Sequence, residues 1–358
     1  MEQNVKQNVG IDVSKEDFIA CFCFQAVNGK LSYGASTKFS NNKTGLNQFV
    51  KWFRKHLDST LPVRFTMEAT GVYHELLAVH LHKLKFSVVV VLPNKVKYYA
   101  KSLNVKTKTD SVDARIIARM GIEQNLSLWH PPLKIYQELR SLTRYLQELK
   151  EQKIMINNHL EALSHSEFCT DFVIESNQKI LNRINSQIDK CEIRIKQTID
   201  KDSELSAKVK KLETIKGIGL ITIAVIIAET QGFALFSNRK QLASYAGLDV
   251  VERQSGTSVK SKTRISKKGN KRIRTALYFP AIVASKYNQA LKEDYQRIIQ
   301  NKPYKKIGIV ALQRKLLLLI YTLWKKDEEF NPFIQNFRKL GGEDILSSSG
   351  DSPKKTGS

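Results

Sequence analysis

Four carboxylates in the first third of the chain have the residue type and the setting to hold a metal ion. They are Asp12, Glu68, Asp110 and Asp113. Asp12 interrupts the apolar run 9–13 and Glu68 ends a second apolar run, so each is expected near a strand end, where a side chain can project into a cleft. Asp110 and Asp113 stand three residues apart at the start of a helical pattern, which places both on one helix face.

If the two strands are neighbours in one sheet, the four groups could converge. Hard cations such as Mg2+ or Mn2+ take oxygen ligands, and two such ions roughly 4 Å apart can activate an attacking oxygen and stabilise a leaving one in phosphoryl transfer. Each acid also has a purely structural interpretation. Asp110 and Asp113 could be an N-cap and a first-turn acid, and Asp12 could cap the turn at 14–17. The spacing alone leaves both interpretations open.

The chain as a whole is strongly basic. Its 58 Lys and Arg residues face 34 Asp and Glu residues, a net charge of +24 over 358 residues, which favours a polyanionic partner. The sequence shows no signal peptide, no basic amphipathic helix and no run of roughly 18 apolar residues. We therefore expect a nucleic-acid partner, no membrane partner and a cytoplasmic location. Because no C-x-x-C pair is present, the four cysteines, Cys21, Cys23, Cys169 and Cys191, are predicted to be reduced core thiols.

The positive charge is densest between Glu252 and Glu293, a stretch without any acidic residue. Phosphate contacts are predicted for its cations: Lys260, Lys262, Arg264, Lys267, Lys268, Lys271, Arg272 and Arg274. Ser255 stands at the front of this segment, in the sequence QSGTS. A hydroxyl in a glycine-containing loop among cations could act as a nucleophile, although most such serines only form a local turn or contact phosphate.

Two weaker groups of nucleic-acid contacts come from short motifs. Gly217 and Gly219 lie between two helical patterns in a segment that resembles a helix-hairpin-helix, whose glycines let backbone amides approach a phosphate; a plain tight turn is the alternative. Lys106 and Lys108 precede Asp110, and Arg115 follows it by about one turn. All three are plausible phosphate contacts or ordinary surface charges.

The periodicity predicts an α/β unit followed by helical units. A hairpin over 8–25, strands at 63–67 and 87–92, and helices over 72–84 and from 94 onward indicate a mixed sheet covered by helices. From about 133 to 212 the pattern predicts two long helices, an antiparallel pair or a coiled coil, serving as a solvated spacer or as a dimerisation arm. More helices follow, and beyond about 330 the periodicity is lost, which indicates a disordered tail.

Six motifs occur in order along the chain: GIDVSK, MEATGVY, LNVKTKTDSVDARIIA, IKGIG, QLASYAGL and SGTSVKSKTRISKKGNKRIRTALY. Together they resemble the DEDD-type insertion-sequence transposases, the IS-one-ten and IS-eleven-eleven families, and the related Piv-type DNA invertases. The resemblance covers about residues 7 to 325. It implies a RuvC-like (RNase H-like) domain at 1–127, a helical coiled-coil linker at 128–212, a mainly helical transposase domain at 213–330 and a tail at 331–358.

The resemblance also implies a mechanism. By position, the metal-binding acids fall on Asp12, Glu68, Asp110 and Asp113, and a nucleophilic serine falls on Ser255. Donor and target DNA would be recombined through a covalent phosphoserine, with Mg2+ (or Mn2+) as cofactor. The acids of one protomer and the serine of another would form a composite site in a homo-oligomer of two to four copies.

Members of this family are further similar in using a structured guide RNA, the bridge RNA, so that base pairing supplies the sequence specificity. The resemblance thus implies an RNA partner and a location at the bacterial nucleoid, within the cytoplasm. Two other functions remain open. One is a metal-only nuclease resembling a Holliday-junction resolvase, in which Ser255 only binds phosphate, and the other is a non-catalytic nucleic-acid-binding protein.

Overall fold

A computed structural model describes residues 3–105, 109–251, 254–255, 259–260, 264–300, 302 and 304–331, without side chains from 252 to 263. The chain divides into two compact units, Met1–Pro131 and Pro132–Ser358. The first is mixed α/β, as the sequence predicts, and the second is mainly helical. The expected disordered tail lies outside the described residues, except for Asn331.

The first unit is built on one mixed sheet. Its elements are β1 (Asn4–Val13), β2 (Asp17–Ala26), β3 (Leu31–Tyr33), β4 (Thr37–Ser40), α1 (Lys43–His56), β5 (Val63–Glu68), α2 (Glu75–Lys83), β6 (Ser87–Val91), α3 (Pro93–Ser102) and α4 (Asp110–Glu123). The strand order is β3-β2-β1-β5-β6, and β4 also pairs with β2. Strand β1 runs antiparallel to β2 and parallel to β5, which is parallel to β6.

The two faces of this sheet are covered by different helices. Alternate residues of each strand point to opposite faces. Phe18, Phe22 and Phe65 pack with α1 residues such as Phe49 and Phe53 in one aromatic core. The opposite face is covered by α4, and we refer to it as the α4 face. The predicted hairpin and both predicted strands are confirmed, whereas β3, β4 and α1 were not predicted.

The second unit begins with two long helices. Its elements are α5 (Lys134–Ser164), α6 (Asp171–Asp200), α7 (Ser203–Glu213), α8 (Leu220–Thr230), α9 (Arg239–Ala246), β7 (Val250–Val251), β8 (Gln254–Ser255), β9 (Val259–Lys260), β10 (Arg264–Ile265), α10 (Lys271–Ala276), α11 (Tyr278–Tyr287), α12 (Gln289–Ile299) and α13 (Lys305–Lys326). Helices α5 and α6 are antiparallel, since Glu138 contacts Arg194 while His159 contacts Asn177. Their buried residues share one core with the helices that follow.

One expectation about burial needs correction. Cys21, Cys23 and Cys191 are buried free thiols, but Cys169 lies in the connection between α5 and α6 and is only partly buried. The connection is short and even its Phe168 is 95% exposed, so it offers this thiol no core. Helix α13 is long and apolar enough to span a membrane by composition, with a mean hydropathy of 1.5, but 72% of that window is buried inside the unit. Such burial is typical of a core helix.

Candidate active site and nucleic-acid interface

Two glycines, Gly10 on β1 and Gly121 on α4, leave a notch in which the helix lies directly against the sheet. A Cβ atom on Gly10 would lie 2.0 Å from the Ala118 nitrogen and 2.3 Å from the Ala114 oxygen, so the helix backbone touches β1 directly. Gly121 lies equally close to Asn8 and Thr66. A glycine inside a strand often marks a close approach of another backbone. Gly10 is therefore the sequence signal from which the packing of α4 on β1 could have been predicted.

A buried hydrogen-bond chain fixes α4 along the strands. The Asn8 Nδ2 atom donates to the Ala118 carbonyl at 2.9 Å, and the Thr66 hydroxyl donates to Asn8 Oδ1 at 2.9 Å. Both side chains are fully buried, where an unpaired polar group is costly. These hydrogen bonds therefore fix the position of α4 along β1 and β5.

The pairing register brings the two strand acids to one end of the sheet. The last pairs of parallel β1 and β5 include Ile11 with Met67, so Asp12 and Glu68 are the next residues on neighbouring strands. Asp12 shares its face with Gly10, and Glu68 shares its face with Thr66, because residues two apart point the same way. Both acids are thus placed on the α4 face, and both are partly buried.

The two helix acids come to the same end. Along α4, Gly121 lies over Asn8 and Ala114 lies over Gly10, so the helix start continues in the direction of Asp12. Asp110 lies one turn before Ala114 on the same helical stripe, and Asp113 directly precedes Ala114. The structure therefore gathers the four predicted acids at one end of the α4 face, with Asp110 the most exposed of them.

The N-cap interpretation of Asp110 is wrong, whereas Asp110 and Asp113 both lie in the first turn of α4, as the structural alternative expected. The N-cap of α4 is Thr109, whose hydroxyl accepts from the Val112 amide, and not Asp110. The turn after β1 is closed by Ser14, which exchanges hydrogen bonds with Asp17. Neither capping role is needed from Asp110 or Asp12.

A lysine that the sequence did not flag faces this end of the sheet. Lys38 forms an ion pair of 2.6 Å with Asp17. Its pKa is raised, chiefly by the hydrogen bond and charge of Asp17, with smaller contributions from Asp110 and Glu16. In the described part of the chain, no three His, Cys, Asp or Glu side chains form a group that could hold a metal ion. The four acids share a location without forming a closed ligand set.

The basic candidates around α4 are described only in part. Lys106 and Lys108 lie outside the described residues. Arg115 is exposed on α4, and its guanidinium carbon lies 5.6 Å from the centre of the Tyr33 ring, which is a cation–π distance. It is open to solvent but already held by one aromatic contact.

Ser255 occupies the last position of a short hairpin strand. Strands β8 and β9 pair Gln254 with Lys260 and Ser255 with Val259. The backbone thus places Ser255 directly before the connection 256–258, which lies outside the described residues, as does Lys262. The Ser255 and Lys260 side chains also lie outside the description. A second short pair, β7 with β10, pairs Val251 with Arg264 and closes the same segment at its base.

The basic segment is anchored by a buried acid from a distant part of the chain. The Glu229 carboxylate accepts from Arg144 Nε at 2.8 Å and Nη2 at 3.1 Å, and from Asn270 Nδ2 at 2.7 Å. Asn270 is also the N-cap of α10, where its side chain accepts from the amides of Arg272 and Ile273. Sequence reasoning missed Glu229, because its partners lie 85 and 41 residues away.

Electrostatics keep Glu229 charged in this position. Burial by itself would raise the pKa of its carboxyl. The hydrogen bonds from Arg144 and Asn270, with the charges of Arg144 and Arg140, outweigh the burial, so the pKa lies below its usual value. An ionised carboxylate therefore joins helix α5 to the start of the basic helix α10.

The predicted cations differ in how freely they can contact phosphate. Arg264, Lys267, Lys268 and Lys271 are exposed. Arg274 is partly buried, donates to the Ala246 carbonyl at 2.8 Å, and has a pKa lowered by that burial. Arg272 is also partly buried. The exposed four have the better access to a nucleic acid.

The two glycines of the hairpin between α7 and α8 have different surroundings. Gly217 has a φ of +100°, which a side chain would strain, and faces α11, with Val283 Cγ1 3.2 Å from an added Cβ. Gly219 is the N-cap of α8 and has open space around it. Only Gly219 leaves room for a close approach of phosphate to the helix amides.

Comparison with known proteins decides the family. A model of DEDD transposases of the IS110 type, described as "Transposase", matches residues 9–168, and a second, "Transposase IS116/IS110/IS902 family", matches residues 209–296. A pilin gene-inverting protein of Moraxella bovis is 32% identical over 332 residues, which are 91% of this chain and 98% of that protein. This chain belongs to the IS110 family of transposases.

Other relatives agree with this placement of the IS110 transposase. The pilin gene-inverting protein of Moraxella lacunata is likewise 32% identical over 91% of this chain and 98% of its own length. A probable family 20 transposase of Pseudomonas aeruginosa is 24% identical over 76% of this chain and 86% of its own. Among solved structures, an Aquifex aeolicus Ppx/GppA family member reaches a TM-score of only 0.22 at 11% identity, over 90% of this chain and 92% of that one. That likeness is too low to bear on the fold. By family, the chain is an enzyme of DNA transposition and recombination.

Proposed function

We propose that this transposase cuts and rejoins the DNA of a mobile element through a covalent bond between a DNA phosphate and Ser255. The gathering of Asp12, Glu68, Asp110 and Asp113 at one end of the α4 face supports the metal-assisted part of the proposal. The serine step is supported by the position of Ser255 within the segment that matches the transposase family. The strand order, with β1 between an antiparallel and a parallel neighbour, supports a RuvC-like domain. Inversion by the two Moraxella relatives and transposition both need DNA strands that are cut and rejoined.

The serine step conserves the number of phosphodiester bonds. The Ser255 hydroxyl attacks the scissile phosphorus, a phosphoserine bond forms, and the bond to the leaving deoxyribose oxygen breaks while the serine proton passes to that oxygen. A second DNA hydroxyl then attacks the phosphoserine and releases the serine. Rejoining therefore needs no nucleotide cofactor. The exposed cations of the same basic segment, Arg264 and Lys267 among them, would stabilise the added negative charge on the phosphate.

The donor set fits a hard divalent cation. All four acids offer only carboxylate oxygens, which suit Mg2+ or Mn2+. Four like charges at one sheet end repel one another, and a cation among them would relieve that repulsion. When bound, the metal would polarise the scissile phosphate and its leaving oxygen. Lys38 and Arg115 lie on the same unit and would orient the DNA backbone.

The partners follow from charge and family. The net charge of +24 suits two polyanions, DNA and a structured guide RNA. We propose that a bridge RNA pairs with donor and target DNA at the nucleoid, and that the protein reads mainly backbone and shape. We also propose that it works as a homo-oligomer of two to four copies.

The test is a search for a covalent protein–DNA adduct. RNA and element ends are taken from the DNA that flanks the open reading frame and are incubated with the full chain in Mg2+. We expect a denaturation-resistant adduct with wild type, none with Ser255→Ala, and a wild-type yield with Ser258→Ala, a matched change in the same loop. Asp12→Asn should abolish strand cutting, while Glu16→Gln, in the neighbouring turn, should preserve it.

The other outcomes identify the competing functions. Strand cuts without an adduct, unchanged in Ser255→Ala, would establish a metal-only nuclease and refute the serine step. Full activity of Asp12→Asn would refute the role of the acids. If wild type and every variant bind DNA tightly and none cleaves it, the protein is a non-catalytic nucleic-acid-binding protein.

A further inference from the structure

The loop that leaves β5 after Glu68 and the first turn of α2 present apolar side chains to solvent. Val72 is 60% exposed, Tyr73 40% and Leu76 45%. Exposed apolar side chains that lie together can mark an interaction surface. We refer to these three residues as the Tyr73 platform. It follows one of the four acids by only four to eight residues.

Hydrogen bonds fix the Tyr73 platform at the same end of the sheet as the acids. The Asn41 amide nitrogen donates to the Ser14 carbonyl at 3.0 Å and to the Tyr73 carbonyl at 2.9 Å. Ser14 is two residues beyond Asp12, so one side chain ties the exit of β1 to the platform. At the base of the loop, the Ala69 amide donates to the Val91 carbonyl at 2.9 Å. The platform is therefore held beside Asp12 and Glu68.

Cations border this loop. Lys15 follows Ser14, Lys43 follows Asn41 by two residues, and Lys95 and Lys97 lie near the start of α3, directly after β6; all four are exposed. Aromatic and apolar side chains among lysines suit a nucleic-acid strand, whose bases stack on the rings while its phosphates meet the cations. An interface with a protein partner would need a larger apolar area and fewer charged residues than this loop and its border provide.

We propose that the Tyr73 platform stacks an unpaired nucleobase of the DNA strand whose phosphate the four acids engage. The inference rests on the proposed function, because it takes that phosphate to lie at the acidic end of the sheet. The base beside that phosphate must leave the duplex stack before it can pack on a protein ring. Stacking of the displaced base on Tyr73 offsets part of the cost of unstacking it.

The test uses binding and crosslinking, without cleavage. The full chain is mixed with an oligothymidylate carrying one 5-iodouracil and irradiated, and the crosslinked residue is identified by mass spectrometry. We expect the crosslink at Tyr73, and a much weaker one when the iodouracil is in a fully paired duplex. Tyr73→Ala should weaken oligothymidylate binding roughly 5- to 150-fold, Tyr73→Phe should retain it, and Tyr145→Ala, a 45% exposed tyrosine on α5, should not change it.

The possible results distinguish a failure of the Tyr73 platform from a failure of the proposed recombinase function. Crosslinking and binding that are unchanged in Tyr73→Ala would overturn the platform even if the Ser255 adduct forms. A Tyr73 crosslink in a protein that never forms the adduct would support the platform and refute the recombinase step. If Tyr73→Ala changes only the oligomeric mass, the loop is a protein contact and the inference fails. Melting curves of both Tyr73 variants confirm that they fold.

Discussion

The most direct test of how the acids are positioned is Gly10→Ala. The new methyl carbon would lie 2.0 Å from the Ala118 nitrogen, 2.3 Å from the Ala114 oxygen and 2.4 Å from the Ala118 Cα atom. Nonbonded carbons keep about 3.5 Å or more. All three contacts are backbone atoms of α4, so no side chain can rotate away. The helix start must therefore move from the sheet by roughly 1 Å or more.

That shift has two expected costs. Overpacking of this kind lowers the free energy of unfolding by about 1–3 kcal/mol. Because α4 carries Asp110 and Asp113, the same shift separates them from Asp12 and Glu68, and a misplacement of about 1 Å can reduce a rate roughly 100-fold. We thus expect a folded protein with a severe loss of strand cutting.

The assay pairs urea unfolding with adduct yield over a series of Mn2+ concentrations. Gly34→Ala is the matched control in the same unit, since its added Cβ would meet only Phe22 Cβ at 3.3 Å. Partial recovery of Gly10→Ala at high Mn2+ is expected, because the metal favours the gathered arrangement of the acids. If Gly10→Ala and Gly34→Ala are alike in stability and in yield, the notch does not position the acids and the reasoning is wrong.

Four further predictions concern stability and reactivity elsewhere in the protein. Glu229→Ala should lower the free energy of unfolding by about 3–5 kcal/mol, since it leaves the Arg144 charge without its buried partner; a loss within 0.5 kcal/mol of wild type would contradict this. The pKa of Glu229 in the folded protein is held below its ordinary 4.5. Its contribution to the free energy of unfolding is therefore present above about pH 4.5 and is lost as the pH falls through the lower pKa of the folded state. In acid titrations of stability, Glu229→Gln should abolish this loss. Thr109→Ala should cost about 0.5–2 kcal/mol by removing the α4 cap, measured against Ser111→Ala. In the native protein Cys169 should react with a thiol reagent before the buried Cys23, whose pKa burial raises to about 12, and equal rates would contradict the burial difference.

The sequence predicted the elements that periodicity encodes. The β1–β2 hairpin, β5 and β6 follow from alternation and apolar runs, and α5 and α6 follow from apolar residues at three- and four-residue steps. The positions of Asp12 and Glu68 at strand ends could be predicted for the same reason. Helix α1 was missed although the sequence carries its signal, since Leu46, Phe49 and Phe53 recur at three- and four-residue steps after the N-cap Asn42. The short strands β7–β10 have only two residues each, too few for any pattern.

What the sequence could not show are the contacts that give these elements their functional positions. Gly10 meets Ala118, Glu229 meets Arg144 and Asn270, and Asn41 joins Ser14 to Tyr73. Each contact links segments that are far apart in the chain and involves residues that look ordinary in their own segment. The catalytic candidates carry recognisable chemistry, so spacing and family resemblance identify them. The residues that position the catalytic candidates are identified only from their contacts in the folded structure. Substitutions of these positioning residues should therefore reduce activity without altering any catalytic candidate.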